Sequence, residues 1–324
     1  MLLPSQILEQ FNAALSGVQL NRQPRELYEP ILYTLQLGGK RIRPVMLMLS
    51  CDIFDGKIED AVNPAIAMEI FHNFTLLHDD IMDKAPLRRG KETVYKKWNT
   101  NTAILSGDTM FAVALQYLSR TNPDKLPVLV NLFTQVAMEV CEGQQLDMNY
   151  EEMENVTIPE YIDMIRLKTS ALIATCLKMG AVIASAPENN LNHIYKFGKA
   201  IGLAFQLQDD LLDVYGNEAK FGKKIGGDIL TNKKTFLYLK ALNEAKGDDL
   251  NMLHHYFSTT NFDEKEKVKA VTTIYNKLKV KDSAIDLINN YYSEASCCLS
   301  RISLSEEKKT ILWDYVNALL KRDF

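Results

Sequence analysis

Six aspartates fall into two groups that share one spacing. Asp79-Asp80-Ile81-Met82-Asp83 lies in the first third of the chain, and Asp209-Asp210-Leu211-Leu212-Asp213 lies far downstream. In a helix the first and fifth residues of each group share a face, and like charges at that spacing repel by about a few tenths of a kcal/mol. A helix that sets three carboxylates among apolar residues calls for a cation to neutralise them. Two such helices facing each other would make an all-oxygen site. That suits a hard ion such as Mg²⁺, which takes one or two carboxylates and completes its shell with water and substrate phosphates.

Cations accompany both groups. Gly38-Gly39-Lys40-Arg41-Ile42-Arg43-Pro44 places three cations after a glycine pair. The glycines allow a positive φ or a close backbone approach, and Lys40 and Arg43 can clamp phosphate oxygens, the arginine with two bonds. Arg88-Arg89-Gly90 follows the first acidic group. Lys168-Thr169 sits in a helical stretch. Gly222-Lys223-Lys224-Ile225-Gly226-Gly227-Asp228 follows the second group, with Lys233-Lys234 beyond it. Any one of these clusters reads as solvated surface. Together they are what a metal–diphosphate site requires, with metals on the acids and cations on the remaining oxygens.

The elements that must position these groups are helices. Ile70, Phe71, Phe74, Leu77 and Ile81 follow a three-to-four spacing through the first acidic group, and Leu203, Leu207, Leu211 and Val214 do so around the second. Segments 103–119, 127–150, 160–184 and 191–215 are long and nearly free of breakers. Breaks are expected at Gly38-Gly39, Asn63-Pro64, Asn122-Pro123-Asp124, Pro159, Pro187-Glu188-Asn189-Asn190 and Lys246-Gly247-Asp248-Asp249. No strand alternation bounded by hairpin turns appears. The expectation is one all-α domain spanning residues 1–324. The two acidic groups share only their triplet and apolar spacing, so they are not a solenoid repeat.

Composition narrows the partners. The 324 residues are 47% apolar and carry a net charge of −4. With a pI of about 5.8, no nucleic-acid footprint is expected. Five cysteines, an odd number without a CxxC pair, read as reduced intracellular thiols. The N-terminus lacks a basic segment and a long apolar run, so no signal peptide is read. The most apolar stretches carry Lys178 and Asp108, which reads against a membrane span. A cytoplasmic protein is expected.

GGKRIRP, LLHDDIMD with its following LRRG, KTSAL, and FQLQDDLLDVYG with its following GKKIGGD occur in that order from about residue 25 to about 235. This series resembles the trans-isoprenyl diphosphate synthases, the polyprenyl synthetase family, of the short-chain farnesyl or geranylgeranyl type. The C-terminal third is similar only in helical character. The resemblance implies the isoprenoid synthase fold, a large helical bundle around a central cavity, and usually a homodimer. It implies a prenyltransferase that joins isopentenyl diphosphate head to tail, 1′–4, to an allylic diphosphate with Mg²⁺. The allylic diphosphate ionises, the isopentenyl double bond attacks the cation, and the departing diphosphate takes the released proton.

Carried over by residue, the resemblance assigns two Mg²⁺ ions to Asp79 and Asp83 and a third to Asp209. Asp80, Asp210 and Asp213 support these ions by contacts outside the coordination sphere or through water. Arg88, Lys168 and Lys233 hold the allylic diphosphate, while Gly39, Lys40, Arg43, His72 and Arg89 hold isopentenyl diphosphate. Thr169 and Gln206 lie close to the reacting carbons. One loop lysine also reaches the allylic diphosphate; the Ile225-Gly226-Gly227-Asp228 register favours Lys224 and the preceding Gly222 favours Lys223. His72 stands about two turns before Asp79, near the same face. His78 receives no role. Glu142, Asp147 and Asp108 read as helix-to-helix hydrogen-bonding residues.

In that fold the growing chain runs down from the first acidic group. Phe74 and Phe71 lie about 7–8 Å and about 12 Å along the helix from Asp79 and share a face. They read as a plug, with Thr75 the small residue beside them, and the product expected is C15 or C20. The rival readings are a long-chain polyprenyl synthase, a class I terpene cyclase and a non-catalytic subunit. A cyclase typically lacks GGKRxRP and the second DDxxD, and a non-catalytic subunit typically loses an acidic group or its arginines; none of these is missing here.

Overall fold

A computed structural model of the chain describes residues 1–216, 225–259 and 262–320. The fold is all-α. In chain order the helices are α1 (Pro4–Ser16), α2 (Arg25–Gln36), α3 (Ile42–Ile53), α4 (Ile58–Met82), α5 (Val94–Lys97), α6 (Thr100–Leu118), α7 (Leu126–Glu152) and α8 (Ile158–Ile165). A π-helical turn, Arg166–Ser170, leads into α9 (Ala171–Ile183), α10 (Glu188–Tyr215) and α11 (Gly227–Leu230). Then come α12 (Phe236–Glu244), α13 (Asp248–Ser258), α14 (Glu264–Lys277), α15 (Val280–Ser300) and α16 (Glu306–Leu320). Among the described residues the only strands are β1 (Leu87–Arg88) and β2 (Lys91–Glu92), an antiparallel pair between α4 and α5. No helix among them is long and apolar enough to cross a membrane.

Local chemistry explains several boundaries. Asn99 caps α6 by accepting from the Thr102 N–H at 2.9 Å, and Thr157 with Glu160 forms a capping box on α8. Gly38-Gly39, Pro123 and Gly247 fall in connections, as the sequence predicts. Asn63-Pro64 does not break its helix: Pro64 lies inside α4. It forfeits one N–H bond in the second turn, where a helix entered at Ile58 with Glu59 and Asp60 in its first turn already has favourable charge at its N-terminal dipole.

Two compact units divide the chain. The first comprises Met1–Gln135, Thr175–Asn192 and Ser303–Leu312. Its core includes Val45, Met46, Leu47, Ala65, Met68, Ile70, Phe71 and Met110, all nearly inaccessible. There α9 lies hard against α3: a Cβ on Gly180 would stand 2.1 Å from the Leu47 carbonyl oxygen, and Ser50 Oγ donates to the Leu177 carbonyl at 2.6 Å. The second unit comprises Val136–Ala174, His193–Ile302 and Trp313–Phe324. Tyr161, Leu207, Leu211, Leu237, Leu253, Val271 and Tyr275 form its core.

Two glycines fix the π-helical turn in the second unit. A Cβ on Gly143 of α7 would sit 2.3 Å from the Lys168 nitrogen, and one on Gly202 of α10 would sit 2.5 Å from the Ser170 Cα. Ser170 Oγ donates to the Lys199 carbonyl at 2.7 Å. The widened turn is therefore clamped by close backbone approach at both ends of Lys168-Thr169-Ser170.

Candidate active site

In the first unit, α4 delivers Asp79 and Asp80 and ends at Asp83. The three aspartates differ. Asp80 is buried, Asp79 is half-buried and Asp83 is exposed. Arg88, on the short hairpin, donates Nε to Asp80 at 2.7 Å and reaches Asp79 with Nη2 at 3.4 Å. Burial pushes the Asp80 carboxyl up to about 6 against the opposing pull of Arg88. The middle carboxylate is thus engaged by the protein, and the outer two lie nearer water.

The glycine pair and the second arginine meet in the same unit. Gly38 and Gly39 have φ of 80° and 128°. A Cβ on Gly39 would stand 2.7 Å from the Arg89 guanidinium carbon, and Arg89 also donates to the Gly38 carbonyl. Only glycine fits there. Arg41, one of the three cations in the sequence cluster, turns inward. It is buried, pairs with Glu69 and donates to the Leu35 carbonyl at 2.6 Å. That leaves Lys40, exposed, and Arg43, half-buried, nearer the surface.

His72 lies among these cations. Its Nε2 stands 3.1 Å from Arg43 Nη1. Burial, with Arg43, Arg89, Arg88 and Arg41 around it, holds its pKa well below 6.5. The ring is therefore neutral and Nε2 accepts from Arg43, so Nδ1 carries the proton; that atom is buried without a hydrogen-bond partner. His78 is structural: its Nε2 lies 3.2 Å from the Ile104 carbonyl, and its ring fills the space above Gly107.

The second unit repeats the local design. On α10, Asp210 is buried while Asp209 and Asp213 are half-buried. Tyr161 of α8 donates its hydroxyl to Asp210 Oδ2, and Gln206 Nε2 donates to Oδ1 at 3.1 Å. Burial, and then Asp228, push Asp210 up to about 7, while the two hydrogen bonds pull it down. Gln206 Oε1 in turn accepts from Thr169 Oγ1 at 2.9 Å, so the clamped π-turn and the acidic group are tied through one amide. Asp213 accepts the Asp228 N–H at 2.9 Å, anchoring the start of α11.

Asp147 of α7 joins the cations of this unit. Its Oδ2 takes Lys168 Nζ at 2.6 Å and Lys233 Nζ at 3.6 Å. Burial opposes its charge, yet the two lysines hold its carboxyl below the usual range. The sequence pattern makes Asp147 a helix-to-helix hydrogen bonder, and it does bridge elements; its partners are the two lysines that the resemblance assigns to phosphate. Tyr161 was not singled out, because one tyrosine in an amphipathic helix carries no signal of what its hydroxyl will meet. Lys223 and Lys224 lie outside the described residues.

Phe71, Phe74 and Thr75 share α4. Phe71 is buried and Phe74 half-buried. Phe111 of α6 and Phe133 of α7 close a four-ring cluster with them, with centroid separations from 5.2 to 6.1 Å. Neither Phe111 nor Phe133 stood out in the sequence. Thr75 Oγ1 donates to the His72 carbonyl at 2.8 Å.

Comparison with known proteins places these features in a family. Residues 24–275 match the polyprenyl synthetase family, further than the motif series reaches. The chain is 33% identical over 315 residues to the geranylgeranyl diphosphate synthase of Methanosarcina mazei, covering 97% of this chain and 95% of that protein. It is 36% identical over 282 residues to the geranylgeranyl diphosphate synthase of Sulfolobus acidocaldarius, covering 86% of this chain and 85% of the other. A crystal structure of a geranylgeranyl pyrophosphate synthase aligns over 100% of both chains with a TM-score of 0.95 and 41% identity.

Proposed function

The chain belongs to the polyprenyl synthetase family, and from that premise we propose that it condenses isopentenyl diphosphate with an allylic diphosphate, 1′–4, to a short-chain all-trans prenyl diphosphate. As a member of that family it is a prenyltransferase. The observation that carries the reaction is the shared design of the two acidic groups. In each, the middle aspartate is buried and held by protein donors, while the first and last are half-buried or exposed. This fits Mg²⁺, whose preferred donors are carboxylate oxygens with water and substrate phosphate in the remaining positions.

Asp79 and Asp83 would hold two ions and Asp209 a third. Asp80, Asp210 and Asp213 support them. Bound Mg²⁺ supplies positive charge against the diphosphate as it departs. The protein's own residues do the rest. Arg88, Lys168 and Lys233, with Lys223 or Lys224, hold the allylic diphosphate. Gly39, Lys40, Arg43, Arg89 and neutral His72 hold isopentenyl diphosphate. Thr169 and Gln206, linked by their hydrogen bond, lie beside the reacting carbons. The allylic C–O bond breaks, the isopentenyl double bond attacks the allylic carbon, and the proton lost from the adduct goes to the departing diphosphate. Exclusion of water protects the cation.

Phe71 and Phe74 set the floor, with a C15 or C20 product; the geranylgeranyl synthases among the relatives favour C20. The chain acts as one catalytic domain, in the cytoplasm, as a homodimer. Support for the dimer comes from α6, which exposes the adjacent Ile104 at 41% and Leu105 at 58%, apolar area that a second copy would cover.

The test is a product assay. Purified protein with Mg²⁺ and labelled isopentenyl diphosphate is given dimethylallyl, geranyl or farnesyl diphosphate, and the dephosphorylated products are sized. A C15 or C20 alcohol is expected. C30 or longer would remove the floor assignment, and a cyclic hydrocarbon without elongation would overturn the condensation itself. Absence of turnover with all three starters would make the chain a non-catalytic subunit.

A further inference from the structure

Lys267 of α14 is wholly buried. Its ammonium donates to Asn232 Oδ1 and lies 4.0 Å from the ring centroid of Phe262 and 5.6 Å from that of Phe257. No described carboxylate pairs with it. Removing an ammonium from water is costly, and two aromatic faces and one amide oxygen offset only part of that cost. Burial lowers its pKa accordingly.

The amide that Lys267 holds belongs to a residue in an unusual conformation. Asn232 has φ of 59°, the left-handed region, which asparagine enters more readily than most residues. It stands at the end of α11, immediately before the Lys233-Lys234 pair. The far side of that pair is also pinned. Lys234 Nζ donates to the carbonyls of Tyr150 at 2.7 Å and Glu151 at 3.3 Å, and to that of Met153, where α7 ends. Those carbonyls would otherwise have no helical donor. The Lys233 N–H bonds the Asp228 carbonyl at 2.8 Å. A turn held at Asn232 and at Lys234 leaves one side chain between them, that of Lys233, directed at Asp147.

We propose that Lys267 is a positioning residue for Lys233: by holding Asn232 in its left-handed turn, it aims the Lys233 ammonium at the allylic diphosphate. This rests on the assignment of Lys233 in the proposed function. Lys267 itself touches no substrate. The segment 262–277, on which the motif resemblance is silent, thereby gains a role in substrate binding.

The test compares steady-state kinetics of the full-length protein and four variants. Lys267→Met keeps the stem and removes the charge, and with it the cost of holding an ammonium away from water. It is expected to raise KM for the allylic diphosphate about tenfold and leave KM for isopentenyl diphosphate within about twofold. Lys267→Gln, which keeps a donor, is expected to retain most of the allylic affinity. Asn232→Ala should raise the allylic KM as well, and Lys267→Met added to it should do no further harm, because both act through one contact. A role in stability alone would lower the melting temperature without separating the two KM values, and that outcome overturns the proposal. So do additive effects in the double variant. Lys233→Met is the control. If it raises the allylic KM while Lys267→Met does not, the positioning role alone is wrong. If Lys233→Met leaves the allylic KM unchanged, the assignment of Lys233 fails and the positioning role fails with it.

Discussion

Truncating Phe71 and Phe74 is expected to give opposite results. The two rings sit on α4 three residues apart, about 4.5 Å of helix rise. Phe71 is buried, with the centroids of Phe133, Phe74 and Phe111 at 5.2, 5.7 and 6.1 Å. Phe71→Ala empties a closed site, so it should cost about 3–5 kcal/mol of stability. Phe74 remains nearer Asp79, and product length should stay the same. Phe74 is half-buried, touching Phe71, Phe111 and His78. Its ring has less burial to lose, and Phe74→Ala should cost about 1–2 kcal/mol. The floor would then fall to Phe71, about 4.5 Å further along the helix, close to the extended length of one isoprene unit. The main product should grow by one unit. The double variant should make longer products still, with a stability loss that differs from the sum because the rings touch. Urea unfolding midpoints give the stability order, and chromatography of dephosphorylated products from one common starter gives the lengths. If Phe71→Ala lengthens the product as much as Phe74→Ala, or Phe74→Ala leaves it unchanged, the floor is elsewhere.

Tyr161→Phe removes one of the two side-chain donors to buried Asp210 and changes almost no volume. A hydrogen bond to a charged group contributes about 1.5–3 kcal/mol; the Mg²⁺ concentration for half-maximal activity should rise about tenfold or more, and unchanged metal dependence would show that the hydroxyl does not hold the acidic group. His72 gives a pH prediction. Its folded pKa lies well below the unfolded 6.5, so between those values the unfolded chain binds the extra proton. Its contribution is present above 6.5 and is lost as pH falls through the folded value. Relative to His72→Gln, the natural protein should lose stability in urea titrations between about pH 7.5 and about pH 5.5; parallel curves for the two proteins would contradict a neutral ring among the arginines.

Much of the site was legible because its signals are local. Acid spacing of one and five and apolar residues three and four apart act within one or two helical turns, and the helices follow them closely. Asn63-Pro64 shows the limit of such rules: proline early in a helix costs one bond, and the second turn of α4 tolerates it. The cation clusters were legible as clusters but not as roles. Lys40, Arg41 and Arg43 look equivalent in sequence, yet Arg41 belongs to Glu69 on α4.

The sequence by itself determined the helices, the two carboxylate groups and the cations that go with a diphosphate, because each depends on residue type and short-range period. Only tertiary structure decided which member of each group is engaged by the protein. Asp80 was paired with Arg88 and Asp210 with Tyr161, Asp147 was set between Lys168 and Lys233, and Phe111 and Phe133 closed around Phe71 and Phe74. Gly143 and Gly202 were made indispensable by the backbone they press upon. These outcomes depend on residues brought together from separate elements. Burial, which turns a polar side chain from solvated surface into an obligatory partner, is a property of packing and has no period in the chain.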